Sequence, residues 1–248
     1  MPQWLTAGFR AISAHLALLA DAIPILMVTD PPYGVNYDPT WRKDIKGKHG
    51  VAAKALGKVQ NDDQVNWSLA WHLFPGSICY IWHAAFFTSE VHKSLLDAEF
   101  EIKSNLIWIK QHFALSRGDY HWQHEPCWYA VRKGHAHNWQ GSRKESTLWE
   151  ISNLNCFGKS QDEDDRTAHS TQKPLECMAR PIRNNTTEGE GVYDPFLGSG
   201  TTLIACEKLN RTCYGMELDP AYCDIIVNRW IKLTGKKAKR NGEEIDQL

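Results

Sequence analysis

The stretch from residue 191 to residue 217 constrains this chain more than any other. Gly191-Val-Tyr-Asp194 reads as a strand, Phe196-Leu-Gly-Ser-Gly200 as a tight glycine turn, residues 201–208 as a helix, and residues 211–216 as a second strand. That second strand ends in Glu217, 19 residues after Gly198. A strand, glycine turn, helix and strand with an acid at the second strand tip is the geometry that holds a nucleoside. Glycines let the backbone approach the ligand, and the carboxylate accepts hydrogen bonds from ribose hydroxyls. The ligand can be narrowed further. A dinucleotide fingerprint needs a third glycine, and Leu203 stands in its place after Gly198 and Gly200. A triphosphate loop needs a leading glycine, and Gly158-Lys-Ser160 has Asn153 there instead. What remains is an adenosine ligand without a pyrophosphate, a description that S-adenosyl-L-methionine fits.

Around this unit the elements alternate as a parallel sheet covered by helices requires. Helices are expected over 9–20, 64–73, 89–98 and 220–233, and strands over 25–28, 78–82, 105–110, 124–131 and 147–151. Asp219 is the expected N-cap of the last helix, ahead of Pro220 at its first position. At 248 residues, the chain has room for one α/β domain, expected to run over 1–248. Its 42% hydrophobic and 23% charged residues are those of a globular protein rather than a disordered one. The segment 10–28 is interrupted by His15, Asp21 and Pro24 before it reaches a spanning length, so no membrane segment is expected. Seven cysteines, without paired C-x-x-C spacing, fit a reducing cytoplasm. The acidic run 162–165 lies in a polar stretch, 152–170, expected to be a loop.

The net charge of −1 offers no global attraction to a polyanion, so nucleic-acid contacts must be local. Between residues 40 and 60, Arg42, Lys43, Lys46, Lys48, Lys54 and Lys58 face one acid, Asp44, a local charge of +5. A second region, 111–144, interleaves tryptophans with Arg117, Arg132, Lys133, Arg143 and Lys144.

Asp30-Pro-Pro-Tyr33 follows the apolar run Ile25-Leu-Met-Val28, at the carboxyl end of a strand, where parallel sheets bind ligands. Pro31 and Pro32 have fixed φ and no N–H, so the Asp30 carboxylate and the Pro31 carbonyl can point outward as acceptors. An exocyclic amine has two N–H donors. When both are taken, its lone pair is localised for in-line attack on a methyl sulfonium, and Tyr33 supplies a face on which the base stacks, worth about 1–3 kcal/mol.

Asp30-Pro-Pro-Tyr33, Thr171-Gln-Lys-Pro174 and Asp194-Pro-Phe-Leu-Gly-Ser-Gly-Thr-Thr202 together strongly resemble the amino-methylating DNA methyltransferases, in the β permutation that places the catalytic motif before the cofactor motif. The segment 115–133 looks like the adenine-specific enzymes of prophages and related mobile elements. The resemblance covers about residues 24–233. It implies a Rossmann-like, S-adenosylmethionine-dependent fold and a base flipped out of double-stranded DNA, with single strands as a further substrate, in the cytoplasm of a bacterial host near its nucleoid. It also implies that Asp30, Pro31, Pro32 and Tyr33 are catalytic and that Asp194, Phe196, Gly198, Ser199, Gly200 and Thr201 build the cofactor site. Phe196, Gly198 and Gly200 would line the methionine side, Glu217 would take the ribose, and Thr171 and Lys173 would close over the cofactor. Residues 40–60 are expected to contact DNA, and 111–170 to form a small target-recognition insert, whose size implies a short or relaxed recognition site.

The chain departs from the pattern in its short lead-in and in ending one helix after Glu217. Adenine N6 is the expected target, with cytosine N4, which uses the same amine geometry, as the alternative. An inactive DNA-binding module, or an RNA or protein methyltransferase, is a further reading. Monomer and homodimer both stay open. Cys127 is read as structural, because amine methylation needs no thiolate nucleophile, and His121, His124 and Cys127 lack the further ligands of a metal site.

Overall fold

A computed structural model describes residues 17–35, 62–114, 119–152 and 172–245. Seven strands form one sheet in the order β5-β3-β4-β2-β1-β6-β7. They are β1 (Leu26–Thr29), β2 (Ile78–Trp82), β3 (Phe100–Ala114), β4 (Trp122–Arg132), β5 (Leu148–Glu150), β6 (Gly191–Asp194) and β7 (Thr212–Gly215). The helices are α1 (Ser68–Leu73), α2 (Thr88–Asp97), α3 (Leu175–Asn185), α4 (Thr201–Lys208) and α5 (Pro220–Thr234). A separate hairpin, β8 (Ala238–Arg240) with β9 (Glu243–Ile245), follows α5.

Every residue of β1 and β2 is buried, as in strands covered on both faces. Side chains alternate between the two faces and build two cores. Leu26, Val28, Ile78, Tyr80 and Trp82 pack with Cys177, Met178 and Ile182 of α3 and Ala205 of α4. Met27, Cys79 and Ile81 pack with Trp71 of α1 and Val91 and Leu95 of α2 on the other side.

The expectation of a parallel sheet needs one correction. β2, β1, β6 and β7 pair in parallel, and β3 pairs in parallel with β5, but β4 runs antiparallel to both β2 and β3. The β3–β4 connection spans only residues 115–121, and a parallel crossover takes a dozen residues or more. This reversal matters for the site. β4 begins at the end of the sheet where β1 and β2 finish, with Trp82 opposite Cys127, and it ends at the other, with Ile78 opposite Val131.

The span 111–170 is therefore not a separate insert over its whole length. β4 and β5 lie inside it and are strands of the central sheet, with Cys127, Ala130 and Trp149 in the core. Among the described residues, no helix is long and apolar enough to cross a membrane.

Candidate active site

The chain passes from β1 to β2 on one side, while β6 lies on the other side of β1. The crevice outside the carboxyl ends of β1 and β6 is the place where an open α/β sheet takes its ligand. Three sequence motifs meet there: Asp30 to Tyr33 after β1, the glycine turn after β6, and Glu217 after β7.

The turn is built from backbone. Gly198 and Gly200 have φ of 55° and 82°, the left-handed region that glycine enters without steric cost. The Gly198 N–H donates to Glu217 Oε2 at 2.8 Å, and Leu218 and Asp219 N–H groups hold Oε1 at 2.8 and 2.9 Å. The acid is thus fixed at the turn and keeps lone pairs for a further donor. Phe196 stands edge-on to Trp67, with centroids 4.7 Å apart, and to Trp71. Asp219 caps α5 as expected, accepting from Ala221 N at 2.9 Å.

Other members of the expected cofactor set face inward. Asp194 is 1% exposed and accepts from the Thr29 and Thr202 hydroxyls at 2.6 Å each and from Phe196 N at 3.0 Å. Burial pushes its carboxyl up to about 6 in spite of those bonds. The Ser199 carbonyl accepts from Arg229 at 2.5 Å, and the Thr201 hydroxyl donates to the Lys173 carbonyl at 3.4 Å. Ser199 and Thr201 are both buried. Asp194, Ser199 and Thr201 therefore shape the turn from beneath.

The acceptor side of the crevice holds a buried charge cluster. Lys173 Nζ lies 2.7 Å from Asp30 Oδ2, 2.9 Å from the Tyr33 hydroxyl and 2.8 Å from Glu125 Oε2. It also sits over the rings of Tyr33 and Trp82, 5.1 and 5.5 Å from their centroids. Glu125 accepts from Lys110 and, at 3.3 Å, from the Tyr33 hydroxyl. Burial opposes its ionisation, yet Lys173 and Lys110 hold its carboxyl down at about 2. Burial likewise opposes the Lys173 ammonium, and Asp30 and Glu125 more than offset it, raising its pKa. Asp30 is pushed up by burial, with Lys173 pulling the other way. Burial and the two carboxylates drive Tyr33 well above its ordinary range, so it stays a neutral phenol. Trp67 anchors the same segment by donating to the Pro32 carbonyl at 3.1 Å.

One oxygen stands apart. Among the described residues, Asp30 Oδ1 is buried and has no hydrogen-bond partner. A buried carboxylate oxygen left unpaired is costly, and it keeps its lone pairs for an N–H donor.

The structure changes one sequence assignment and adds a residue. Lys173 was expected to close over the cofactor, but its ammonium serves Asp30 and Tyr33. Glu125 was not anticipated, because its partner Tyr33 is 92 positions away and only the reversed direction of β4 brings the two together. Cys127 is buried and burial drives its thiol well above the ordinary value, so it is no ready nucleophile. Among the described residues no cluster of three potential ligands is arranged for a metal ion.

The expected DNA contacts divide. Arg42, Lys43, Lys46, Lys48 and Arg117 lie outside the described residues, as does Thr171. Arg132 is engaged within the fold, where its guanidinium donates to the carbonyls of Phe74, Gly76 and Ala98 at 2.8, 3.2 and 3.1 Å and lies over the Phe100 ring. It pins the connections at the far end of the sheet. Seven residues of strand separate it from Glu125, roughly 20 Å at the usual rise, so Arg132 and the neighbouring Lys133 sit away from the crevice. Arg143 and Lys144 are exposed on the β4–β5 connection, which bonds the C-terminal end of α3 through Gln140 N and Asn184 O at 2.7 Å. At the crevice end, by contrast, Phe86, Phe113, Tyr120 and Trp122 are 74%, 52%, 92% and 38% exposed. Phe86 meets Trp122 edge-on, and Phe113 stacks on His121.

A family model described as DNA methylase matches residues 25–228. The chain belongs to this family. Among curated relatives, the Type II methyltransferase M.HinfI of Haemophilus influenzae is 32% identical over 108 residues, covering 43% of this chain and 28% of that protein. Among solved structures, the M1.HpyAVI–SAM complex covers 90% of this chain and 95% of its own, with a TM-score of 0.62 and 23% identity. A PvuII DNA methyltransferase described as cytosine-N4-specific covers 82% and 78%, with a TM-score of 0.59 and 16% identity. These likenesses show the same fold, and the chain spans under a third of the length of M.HinfI.

Proposed function

We propose that the chain transfers the methyl group of S-adenosylmethionine to the exocyclic N6 amine of adenine in DNA, with the target base flipped out of the duplex at a cost of a few kcal/mol. The carrying observation is Asp30 Oδ1, buried and unpaired among the described residues, in the segment that follows β1 beside the glycine turn after β6. S-adenosylmethionine supplies the electrophilic methyl on a sulfonium, and its sulfur leaves with the electrons of the broken carbon–sulfur bond. The Glu217 carboxylate takes the ribose, and the Gly198–Gly200 turn, free of side chains at two positions, lies against the methionine portion. Asp30 Oδ1 accepts one amine N–H and the Pro31 carbonyl the other, which turns the nitrogen lone pair toward the methyl. After the N–C bond forms, the nitrogen loses a proton to the Asp30 carboxylate. Tyr33 holds the base by stacking.

The cytosine N4 reading is favoured by the fold shared with the cytosine-N4-specific PvuII enzyme, since cytosine offers the same amine geometry. For the duplex itself, we assign the exposed aromatic side chains Phe86, Phe113, Tyr120 and Trp122, at the crevice end, to contacts with bases around the flipped position. The basic stretch 40–60 serves the phosphates. Asp30→Ala tests the chemistry: methyl transfer should vanish while affinity for S-adenosylmethionine stays within a few-fold. Near-normal turnover by this variant would remove Asp30 from the mechanism.

A further inference from the structure

A lysine ammonium has three N–H donors, and Lys173 places its three on Asp30, Tyr33 and Glu125 at 2.7–2.9 Å. Its side chain is 6% exposed, so water does not compete for them. Glu125 is in turn held by Lys110, from the neighbouring strand. The cluster therefore has two carboxylates and two ammonium groups, and a single acceptor atom is left over, Asp30 Oδ1. The same lysine's backbone carbonyl accepts from Thr201, the first residue of α4, directly after the glycine turn.

We propose that Lys173, held by Glu125, is the positioning residue of the methyl-acceptor site. It claims Oδ2 of Asp30 and so dedicates Oδ1 to the target amine. It fixes the Tyr33 ring through its hydroxyl, and its main chain ties that arrangement to the turn on the methyl-donor side. The inference rests on the reading of Asp30 as the amine acceptor. It goes further in making the geometry of Asp30 and Tyr33 depend on two residues from outside the tetrapeptide, one ahead of α3 and one on β4.

A simple structural staple would also hold these segments together, but it would not act on the proton equilibrium of Asp30. The groups that face Asp30 are Lys173 ahead of α3, Glu125 on β4, Tyr33 on its own segment and Asp194 at the end of β6, with the thiols Cys127 of β4 and Cys177 of α3 nearby. Lys173 favours the Asp30 anion and Glu125 disfavours it. Removing each charge must therefore move Asp30 in opposite directions.

The experiment follows the Asp30 carboxyl by carbon-13 NMR in protein labelled at aspartate, assigned with an Asp30→Asn control. In parallel it measures single-turnover methyl transfer to duplex DNA across the acid limb of the pH profile. Lys173→Met should raise the Asp30 midpoint and move the acid limb to higher pH. It should lower the transfer rate on the order of 100-fold, the cost of a misplaced reacting group, with KM for S-adenosylmethionine within a few-fold. Lys173→Arg should restore part of the rate, and Glu125→Gln should lower the midpoint. Shifts of the same sign in Lys173→Met and Glu125→Gln, or none in either, would overturn the proposal. If Lys173→Met fails to fold, the downward shift in Glu125→Gln and the partial activity of Lys173→Arg decide it alone. Wild-type protein that methylates neither adenine nor cytosine would instead overturn the proposed function, while the NMR midpoints still report on the positioning contacts.

Discussion

Asp194 makes a prediction whose size follows from its surroundings. Its carboxyl is 1% exposed at the tip of β6, and burial raises it from the ordinary 3.8 to about 6 despite three hydrogen bonds. A carboxyl raised in this way binds its proton more tightly in the folded chain than in the unfolded one. Its contribution to stability is complete below about pH 4 and is lost as the pH rises through about 6, a difference of about 3 kcal/mol. His83 acts the other way. It is 1% exposed, and burial lowers its imidazole from 6.5 to about 4, so its contribution is complete above 6.5 and is lost as the pH falls through 4. The two partly cancel in the wild-type curve, and the informative quantity is the difference from Asp194→Asn, which preserves shape and removes the titration. Urea unfolding followed by the fluorescence of the eleven tryptophans gives that difference at each pH. From about pH 4 to about pH 7 the variant should gain about 3 kcal/mol on the wild type. A constant difference over that range would show that burial does not perturb Asp194.

Three further outcomes are expected. Gly198→Val forces a branched residue into a φ of 55°, and Glu217→Ala removes the acceptor of the Gly198 N–H, so calorimetry should show weakened S-adenosylmethionine binding in both folded variants. Arg132→Met leaves three carbonyls without their donor and should cost about 2–4 kcal/mol in denaturant unfolding. It should leave the salt dependence of DNA binding unchanged, whereas a phosphate contact would contribute about 0.9 to that slope. Phe86→Ala combined with Trp122→Ala should weaken DNA binding several-fold in a fluorescence-anisotropy titration at unchanged thermal stability, since both rings are exposed; unaltered binding would remove the aromatic ridge from the DNA interface.

How legible the protein was in its sequence depended on how local each determinant is. The strand 191–194, the helix 201–208 and the Asp219 cap were readable because each is written in adjacent residues: two glycines, an acid at a strand tip, a capping side chain before a proline. Asp30 and Tyr33, which the structure brings together with Lys173, stood out for the same reason. Glu125 was not, because its value comes from β4 running antiparallel, and its partners Tyr33 and Lys173 approach from elsewhere in the chain. Arg132 looked like a phosphate ligand in a basic, aromatic stretch, while the carbonyls it serves are 34–58 positions away. Helix α3 was not anticipated, and Pro181 lies within it, where proline ordinarily interrupts a helical pattern. The hairpin after α5 was missed because its strands have three residues each, too few to show an alternation.

Amine methylation by this chain is tested most directly by incubating the protein with methyl-labelled S-adenosylmethionine and unmodified duplex DNA, digesting the DNA to nucleosides and identifying the labelled species by mass spectrometry. Label is expected in N6-methyladenine and should be lost in Asp30→Ala. Label in N4-methylcytosine would retain the amine mechanism and change the base, and label in 5-methylcytosine, or none in any base, would show that the chain does not methylate an exocyclic amine of DNA.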